Sequence, residues 1–503
     1  MSTVMMHVGQ AGNQIGHEFW QLMMDESPIK EDIFFDRFSN HARAVLVDSE
    51  PKVIKSIQED KKINFVFDQK SMLYTQNGRG NNWALGYSSS YREAIEALSA
   101  TGDKPLYERA MEALRKEVER SDFFLGMVLV HSLAGGTGSG LGSRLVEEYR
   151  DTFGKSYLMS ASVWPNSSGE TPLQHYNSCF SLSHLQKNAD AVLLFQNEQI
   201  LKVLHKLVAV KKEETITMTN LNESIVSVLK QVLMPSQGEK FDFSDVMNMA
   251  CVPVYKILEG HTNPFIMNKQ LMCVGDKLWN GVLDGCISQI PTYDALTSKV
   301  KGNEIVKDKN KTSNGVTKQK EKIQSSVGGI IDREGQGLSS QVQESNKQFE
   351  QWFEKEIASQ HSLNDPTHSN SIPHQTIFAT GYFKGFDASN EISRTQTTYK
   401  HYKDKMTQKF KSVSWNPSSE STNIRVIDES PYKSYEALRS CTILGNRTSV
   451  SVPIRKLLDT SLQKYNAKAY LHWYYQYGME QQDFLEAFDL VTDVIDAYES
   501  ALY

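Results

Sequence analysis

Cysteine is scarce in this chain. The 503 residues include five, Cys179, Cys251, Cys273, Cys286 and Cys441. They are widely spaced and odd in number, with no Cys-x-x-Cys pair, which excludes a disulfide framework and offers no zinc or redox signature. A reducing compartment fits that usage. Long apolar runs are missing too: the longest well-marked one, Phe123 to Val130, falls far short of the roughly 20 residues a bilayer-spanning helix needs. No membrane partner is expected. The start, Met1-Ser-Thr-Val-Met-Met-His7, lacks the basic and apolar stretches of a signal peptide, so a cytoplasmic location is expected. Nor is there a basic excess. Lys and Arg number 54 against 60 Asp and Glu, a formal charge of −6, which argues against nucleic acid as the principal ligand. What remains, 39% hydrophobic and 23% charged residues, is an ordinary globular composition, long enough for about two or three domains with real cores.

Apolar stretches at Ala44 to Val47, Phe123 to Val130 and Ala191 to Phe195 read as buried strands. Helical patterns lie between them, at Tyr91 to Leu98 and Leu106 to Val118. That alternation predicts an α/β domain with a mostly parallel sheet, in which ligands bind beyond the carboxyl ends of the strands. From Lys299 to Lys322 eight lysines and three acids sit among polar residues, and the polar character runs on to about 346; this reads as a flexible insertion. Strand-like character resumes at Ile377 to Phe383 and at Cys441 to Leu444, before an expected turn at Gly445-Asn446-Arg447. Near the end Phe484, Ala487, Phe488, Val491, Val494, Ile495 and Tyr498 recur at helical spacing. Acids fall between them. From Ala469 to Tyr503 there are seven carboxylates and no Lys or Arg, which makes this helix either a docking face for a basic partner or an ordinary solvated face.

The densest chemical signal is Ala134-Gly135-Gly136-Thr137-Gly138-Ser139-Gly140, placed between a strand and a helix. Glycines let backbone amides approach an anion, and a helix N-terminus supplies aligned N–H dipoles, so this run reads as a phosphate cradle. It does not end in Gly-Lys-Ser/Thr and so is not a Walker A loop. Gly9-Gln10-Ala11-Gly12-Asn13-Gln14 follows another short apolar start. Val47-Asp48-Ser49-Glu50-Pro51 ends a strand in two carboxylates, which either bias a magnesium ion or cap the helix that follows. Asn77-Gly-Arg-Gly-Asn-Asn-Trp-Ala-Leu-Gly86 is a donor-rich loop suited to wrapping a terminal phosphate.

In this order the motifs resemble the guanine-nucleotide site of the tubulin family. The resemblance continues through Tyr176-Asn177-Ser178, Asn197-Glu198, Thr219-Asn-Leu-Asn222 and Leu471-His-Trp-Tyr with Gly478-Met-Glu480. It implies a tubulin-like fold: a Rossmann-like parallel-sheet GTP-binding domain over residues 1–196, a core helix starting near Asn197, a second α/β domain to residue 448 carrying the insertion at about 299–346, and C-terminal helices over 449–503. It also implies GTP or GDP with Mg2+ as cofactors. Gly9, Gln10, Ala11 and Gln14 match the first nucleotide loop, Asp48 and Glu50 the second and the position of a Mg2+ held through water, Gly80 and Asn81 the third, and Ala134 with Gly135 to Gly140 the fourth. Glu170 closes a fifth loop that looks one residue shorter than in the α and β members, and Gln174 replaces a glutamate near the ribose. Asn197 and Asn222 match the two asparagines that read the guanine edge, while Met218 stands where the family stacks an aromatic ring.

The helix over Phe241 to Ala250 resembles the one that brings an acid to a neighbouring subunit's nucleotide. Alignment puts that acid near Asp245, and a strict match would put Ser244 or Val246 there. The segments Ala42 to Ile54, Ser132 to Gly142, Ser183-His-Leu185 and Lys468 to His472 look most like delta-type members. That similarity implies a cytoskeletal protein of centrioles and basal bodies in ciliated cells, working with other tubulins or centriolar microtubule proteins in the maintenance of triplet microtubules. GTPase activity that depends on assembly is one implication. A non-hydrolysing structural adaptor and a divergent polymer-forming tubulin are the alternatives.

Overall fold

The computed structural model describes residues 2–26, 33–88, 104–166, 171–211, 216–233, 243–250, 252–263, 279–290, 374–384, 400, 402–416, 422–427 and 440–501. In chain order the N-terminal part runs β1 Ser2–Val8, α1 Gly9–Glu26, β2 Ala44–Asp48, α2 Pro51–Glu59, β3 Met72–Tyr74, α3 Leu106–Glu119, β4 Phe124–Ser132, α4 Gly142–Thr152, β5 Tyr157–Trp164, α5 Gln174–Asn188, β6 Ala191–Gln196 and α6 Asn197–Lys211. There follow α7 Met218–Leu233, α8 Phe243–Ala250, β7 Ile257–Asn263, α9 Trp279–Ser288, β8 Thr376–Lys384, β9 Thr422–Ile427, β10 Ser440–Arg447, α10 Ser451–Asn466, α11 His472–Tyr475 and α12 Gln481–Ser500. The stretch 91–98 and the insertion at about 299–346 lie outside the described residues.

The strands form one ten-stranded sheet in the order β3-β2-β1-β4-β5-β6-β7-β10-β8-β9. The pairs from β3 to β7 are parallel. β10 runs antiparallel to both β7 and β8, and β9 is parallel to β8. Central strands buried on both faces explain the unbroken apolar runs seen in the sequence. Successive side chains go to opposite faces: Val4, Met6, Val8, Met127 and Leu129 join one core with helices α3, α4, α5, α10 and α12, while Met5, Val128 and Val130 join a second with α1, α2 and α7. Every apolar position expected on the face of α12 is buried. Its start is fixed by a reciprocal capping box between Glu480 and Asp483, the Glu480 N–H donating to Asp483 Oδ2 at 2.7 Å.

The structure overturns one of these expectations and sharpens two. A helix does begin at Asn197, but it ends at Lys211, and the helix buried from Ser224 to Leu233 is α7. The turn expected at Gly445-Asn446-Arg447 is strand: β10 continues to Arg447 because Asn446 Nδ2 donates to the Tyr255 carbonyl at 2.7 Å and its Oδ1 accepts from Tyr498 at 3.1 Å. Finally, the acidic face of α12 is partly neutralised, since Glu499 pairs with Arg455 of α10 at 2.8 Å.

Candidate nucleotide-binding site

β1 has β2 on one side and β4 on the other, so the segments leaving β1 and β4 diverge and open a crevice at the carboxyl end of the sheet, the usual place for a ligand in such folds. The two glycine-bearing turns lie there. Gly9 has φ +74°, and a side chain on it would come within 2.9 Å of the Gly138 amide nitrogen, so glycine is required for the two turns to meet back to back. Residues Thr137–Leu141 form a π-helical turn ahead of α4, a widened form that recurs at functional sites. The Asn77–Gly86 loop closes on this turn from the other side. A β-carbon on Gly140 would lie 2.2 Å from the Trp83 carbonyl oxygen, and one on Gly136 would lie 2.7 Å from that of Arg79.

One side chain clips the arrangement together. Asn177, fully buried on α5, donates from Nδ2 to the carbonyls of Asn81 and Ala134, both at 2.7 Å, while its Oδ1 accepts from the Trp83 amide at 2.9 Å and from the Tyr474 hydroxyl at 2.6 Å. Asn13 does the same for the first two turns, donating to Gly9 O at 2.9 Å and Val47 O at 3.0 Å. Ser49 Oγ and Thr137 Oγ1 share a hydrogen bond of 2.5 Å, and Thr75 donates to the Ser49 carbonyl at 3.0 Å. Beneath the cradle, His131 Nδ1 lies 2.7 Å from the Gly138 carbonyl, and its Nε2 faces Ser160 at 2.9 Å and Ser162 at 3.1 Å. Burial pushes His131 down to about 4, so the ring is neutral, its Nδ1–H donating to Gly138 and its Nε2 accepting from a serine. The Ser139 hydroxyl donates back to the Gly135 carbonyl, which leaves the backbone as that residue's means of meeting a ligand.

The second loop is acidic and close to the third. Burial raises Asp48 to about 7, against the hydrogen bond from the Glu50 amide at 3.3 Å and the nearby charge of Arg79. Glu50 holds the N-cap position of α2 but makes no side-chain cap bond; its exposed carboxylate leans over the third loop, where a β-carbon on Gly78 would sit 2.4 Å from Oε1. A side-chain cap on α2 thus does not account for Glu50. Gly80 and Asn81 both adopt left-handed backbone, φ +53° and +51°, which makes the turn that carries Arg79 a tight one. Gln10 is exposed, with Ala11 and Gln14 half-buried, on the first turns of α1.

At the other end, Asn197 follows β6 and opens α6; its Oδ1 is buried and meets no donor. Asn222 is half-buried on α7 and Met218 is exposed at that helix's first position. Gln174 is buried, its Nε2 donating to the Asn166 carbonyl at 2.6 Å, so it braces the fifth loop. Glu170 lies outside the described residues. Asp245 lies on α8, where Val246 is fully buried against the second core. Sequence reasoning missed Asn177, Asn13 and His131 as positioning residues. Asn177 had one available sign, its place in a motif that composition does not explain.

Comparison with known proteins points to the domain that carries these loops. The family model described as the GTPase domain of the Tubulin/FtsZ family matches residues 2–205, which implies guanine-nucleotide binding. The chain is 26% identical to the tubulin delta chain of Homo sapiens, with 99% of each chain covered. It is 25% identical to that of Mus musculus at the same coverage, and 24% identical to the tubulin beta-6 chain of Gossypium hirsutum over 98% of this chain and 92% of that one. The resemblance to tubulins, and most to delta chains, thus extends well beyond the quoted motifs. Among the described residues no helix is long and apolar enough to cross a membrane.

Proposed function

We propose that this tubulin-like chain is a cytoskeletal protein of the delta type. It holds GTP or GDP with Mg2+ in the crevice between β1 and β4 and works with other tubulins in centrioles and basal bodies, where it serves the assembly or maintenance of triplet microtubules. One observation carries the nucleotide reading: a glycine turn at the sheet's switch point, closed on both sides by neighbouring loops, with a buried, donor-hungry Asn197 Oδ1 beyond its far end.

The donor set fits the group. Gly135 faces open space, the nearest side-chain atom to an added β-carbon being Asn81 Oδ1 at 4.0 Å, and the N-terminus of a helix favours anions. Backbone amides of Gly9 to Ala11 and Gly135 to Gly140 would bind the phosphates, and Gly80 and Asn81 would close over the last of them. Asn197 and Asn222 would read the guanine edge, for which an amide's paired donor and acceptor suit. Asp48 and Glu50 would hold Mg2+ through water. The metal, when bound, neutralises phosphate charge. Asp48, titrating at about 7, changes between neutral and charged forms at small cost and is suited to a site that is charged only when loaded.

For hydrolysis, Asp245 would orient water at a neighbouring subunit's nucleotide. A second reading, nucleotide held as a fixed structural cofactor, is favoured by Val246: in that register the position facing a neighbour is apolar and buried. Nucleotide extraction from the purified chain tests the shared premise. Guanine nucleotide is expected, and Gly136→Val, which forces a side chain into the Arg79 carbonyl 2.7 Å away, should abolish its retention. An empty parent that binds no added GTP removes the assignment.

A further inference from the structure

The chain as a whole carries a formal charge of −6, yet one cleft away from the glycine turns has the opposite sign. It opens at the last strand of the sheet, where α3 lies beside β3 and the short turn Gln69–Ser71 that precedes it, and encloses about 200 Å³. Leu73 and Ala113 line its buried part and belong to one core. Around them stand five cations and three carboxylates.

The carboxylates are already engaged. Asp68 pairs with Arg120 at 3.3 Å, Glu117 with the same guanidinium at 2.8 Å, and Glu112 with Arg115 at 2.8 Å and Lys116 at 3.5 Å. The other three cations, Lys70, Lys104 and Arg109, line the cleft and make no ion pair among the described residues; both lysines are exposed and the arginine is half-buried. Their charge is therefore open to a partner. Arg109, Ala113 and Lys116 on α3 and Arg120 at its C-cap recur at steps of three and four, which puts them on one face, along about 16 Å of helix. An extended peptide covers that length with about five residues. β3 ends the sheet, so one of its edges has no strand beside it, and extended segments add to such edges.

We propose that the cleft between α3 and β3 is a docking site for an acidic peptide segment of a partner protein, held by Lys70, Lys104 and Arg109. The inference does not draw on the nucleotide site. A single exposed pair contributes little, so binding arises from several together, is weakened by salt, and selects a partner by its run of carboxylates.

The test uses the full chain and fluorescein-labelled hexaglutamate, with binding read by anisotropy. The parent should bind the peptide at low ionic strength and release it as salt rises from about 50 to about 300 mM. Arg109→Glu should weaken binding roughly 2- to 30-fold, the range for losing one exposed pair and adding a repulsion of similar size. Lys70→Glu and Lys104→Glu should act in the same direction. Lys155→Glu, the same change of charge at an exposed position outside the cleft, should have no effect. Thermal midpoints report on folding, and Arg109→Gln stands in should Arg109→Glu fail to fold. A parent that does not bind the peptide overturns the inference. So does a Lys155→Glu effect equal to that of Arg109→Glu, or binding that survives the three reversals combined, which would place it on other cations such as the eight lysines from Lys299 to Lys322. Tighter binding of a single-stranded oligonucleotide of equal charge, or self-association of the pure chain that the reversals abolish, also overturns it, the cleft then taking nucleic acid or a second copy.

Discussion

Burial holds the Asp48 carboxyl at about 7, well above the ordinary value of 3.8, and this has a direction in pH. The folded chain keeps the proton that the unfolded chain has already released, so the residue's contribution to stability declines as pH rises from about 4 to about 7. Asp48→Asn removes that penalty. In the nucleotide-free protein the variant should gain on its parent by on the order of 1–4 kcal/mol between about pH 5 and pH 8. Denaturant titrations at both pH values check it, and a difference that stays constant between them refutes it. The same residue shows what a sequence can and cannot tell. A strand ending in Asp48-Ser-Glu50 announces acids at a ligand-bearing edge, yet the letters do not say which of them caps the next helix, and only the structure shows Glu50 at the α2 cap without a side-chain bond. Gly9 was legible because only glycine suits its backbone. Asn177 was not, since an asparagine inside a helix has the same letters whether it faces water or joins two loops.

Among the described elements, α5 ties the site closely to the rest of the fold. Through Asn177 it holds the third loop and the cradle, and Phe180 and Tyr176 on the same helix meet Phe484 of α12 at ring distances of 4.9 and 5.3 Å. Asn177→Ala leaves the carbonyls of Asn81 and Ala134, the Trp83 amide and the Tyr474 hydroxyl without this partner, all in or near the core. The expected cost is roughly 2–4 kcal/mol, as for unsatisfied buried polar groups, together with faster nucleotide loss. A shift in the denaturation midpoint worth less than about 0.5 kcal/mol, a typical surface effect, contradicts the assignment. Periodicity made α12 readable in advance because its stripe faces one core and its back faces solvent. The end of β10 was not readable in the same way, because tertiary bonds to Asn446 override the turn preference of Gly-Asn.

For the whole molecule, the open matter is turnover. With Asp245 acting across a subunit contact, phosphate release by the pure chain should be negligible and should rise when tubulin partners are added, and Asp245→Asn should abolish the rise while nucleotide stays bound. Release measured with labelled GTP, with and without partners, decides it. Absence of release in both cases leaves the fixed-cofactor reading, which the buried Val246 favours.

The hydrogen bond from Asn82 Nδ2 to the Trp473 carbonyl, 2.8 Å long, joins positions 391 residues apart, and Tyr474 reaches Asn177 from the same short helix. Ribosomes deliver polypeptide from the amino end. A nascent chain therefore displays every glycine of the cradle long before the aromatic segment that backs its neighbouring loop has been made. Completion of the pocket is thus deferred to the last stage of translation, and a prematurely terminated product that keeps the whole of residues 2–205 still lacks the brace on which that loop rests.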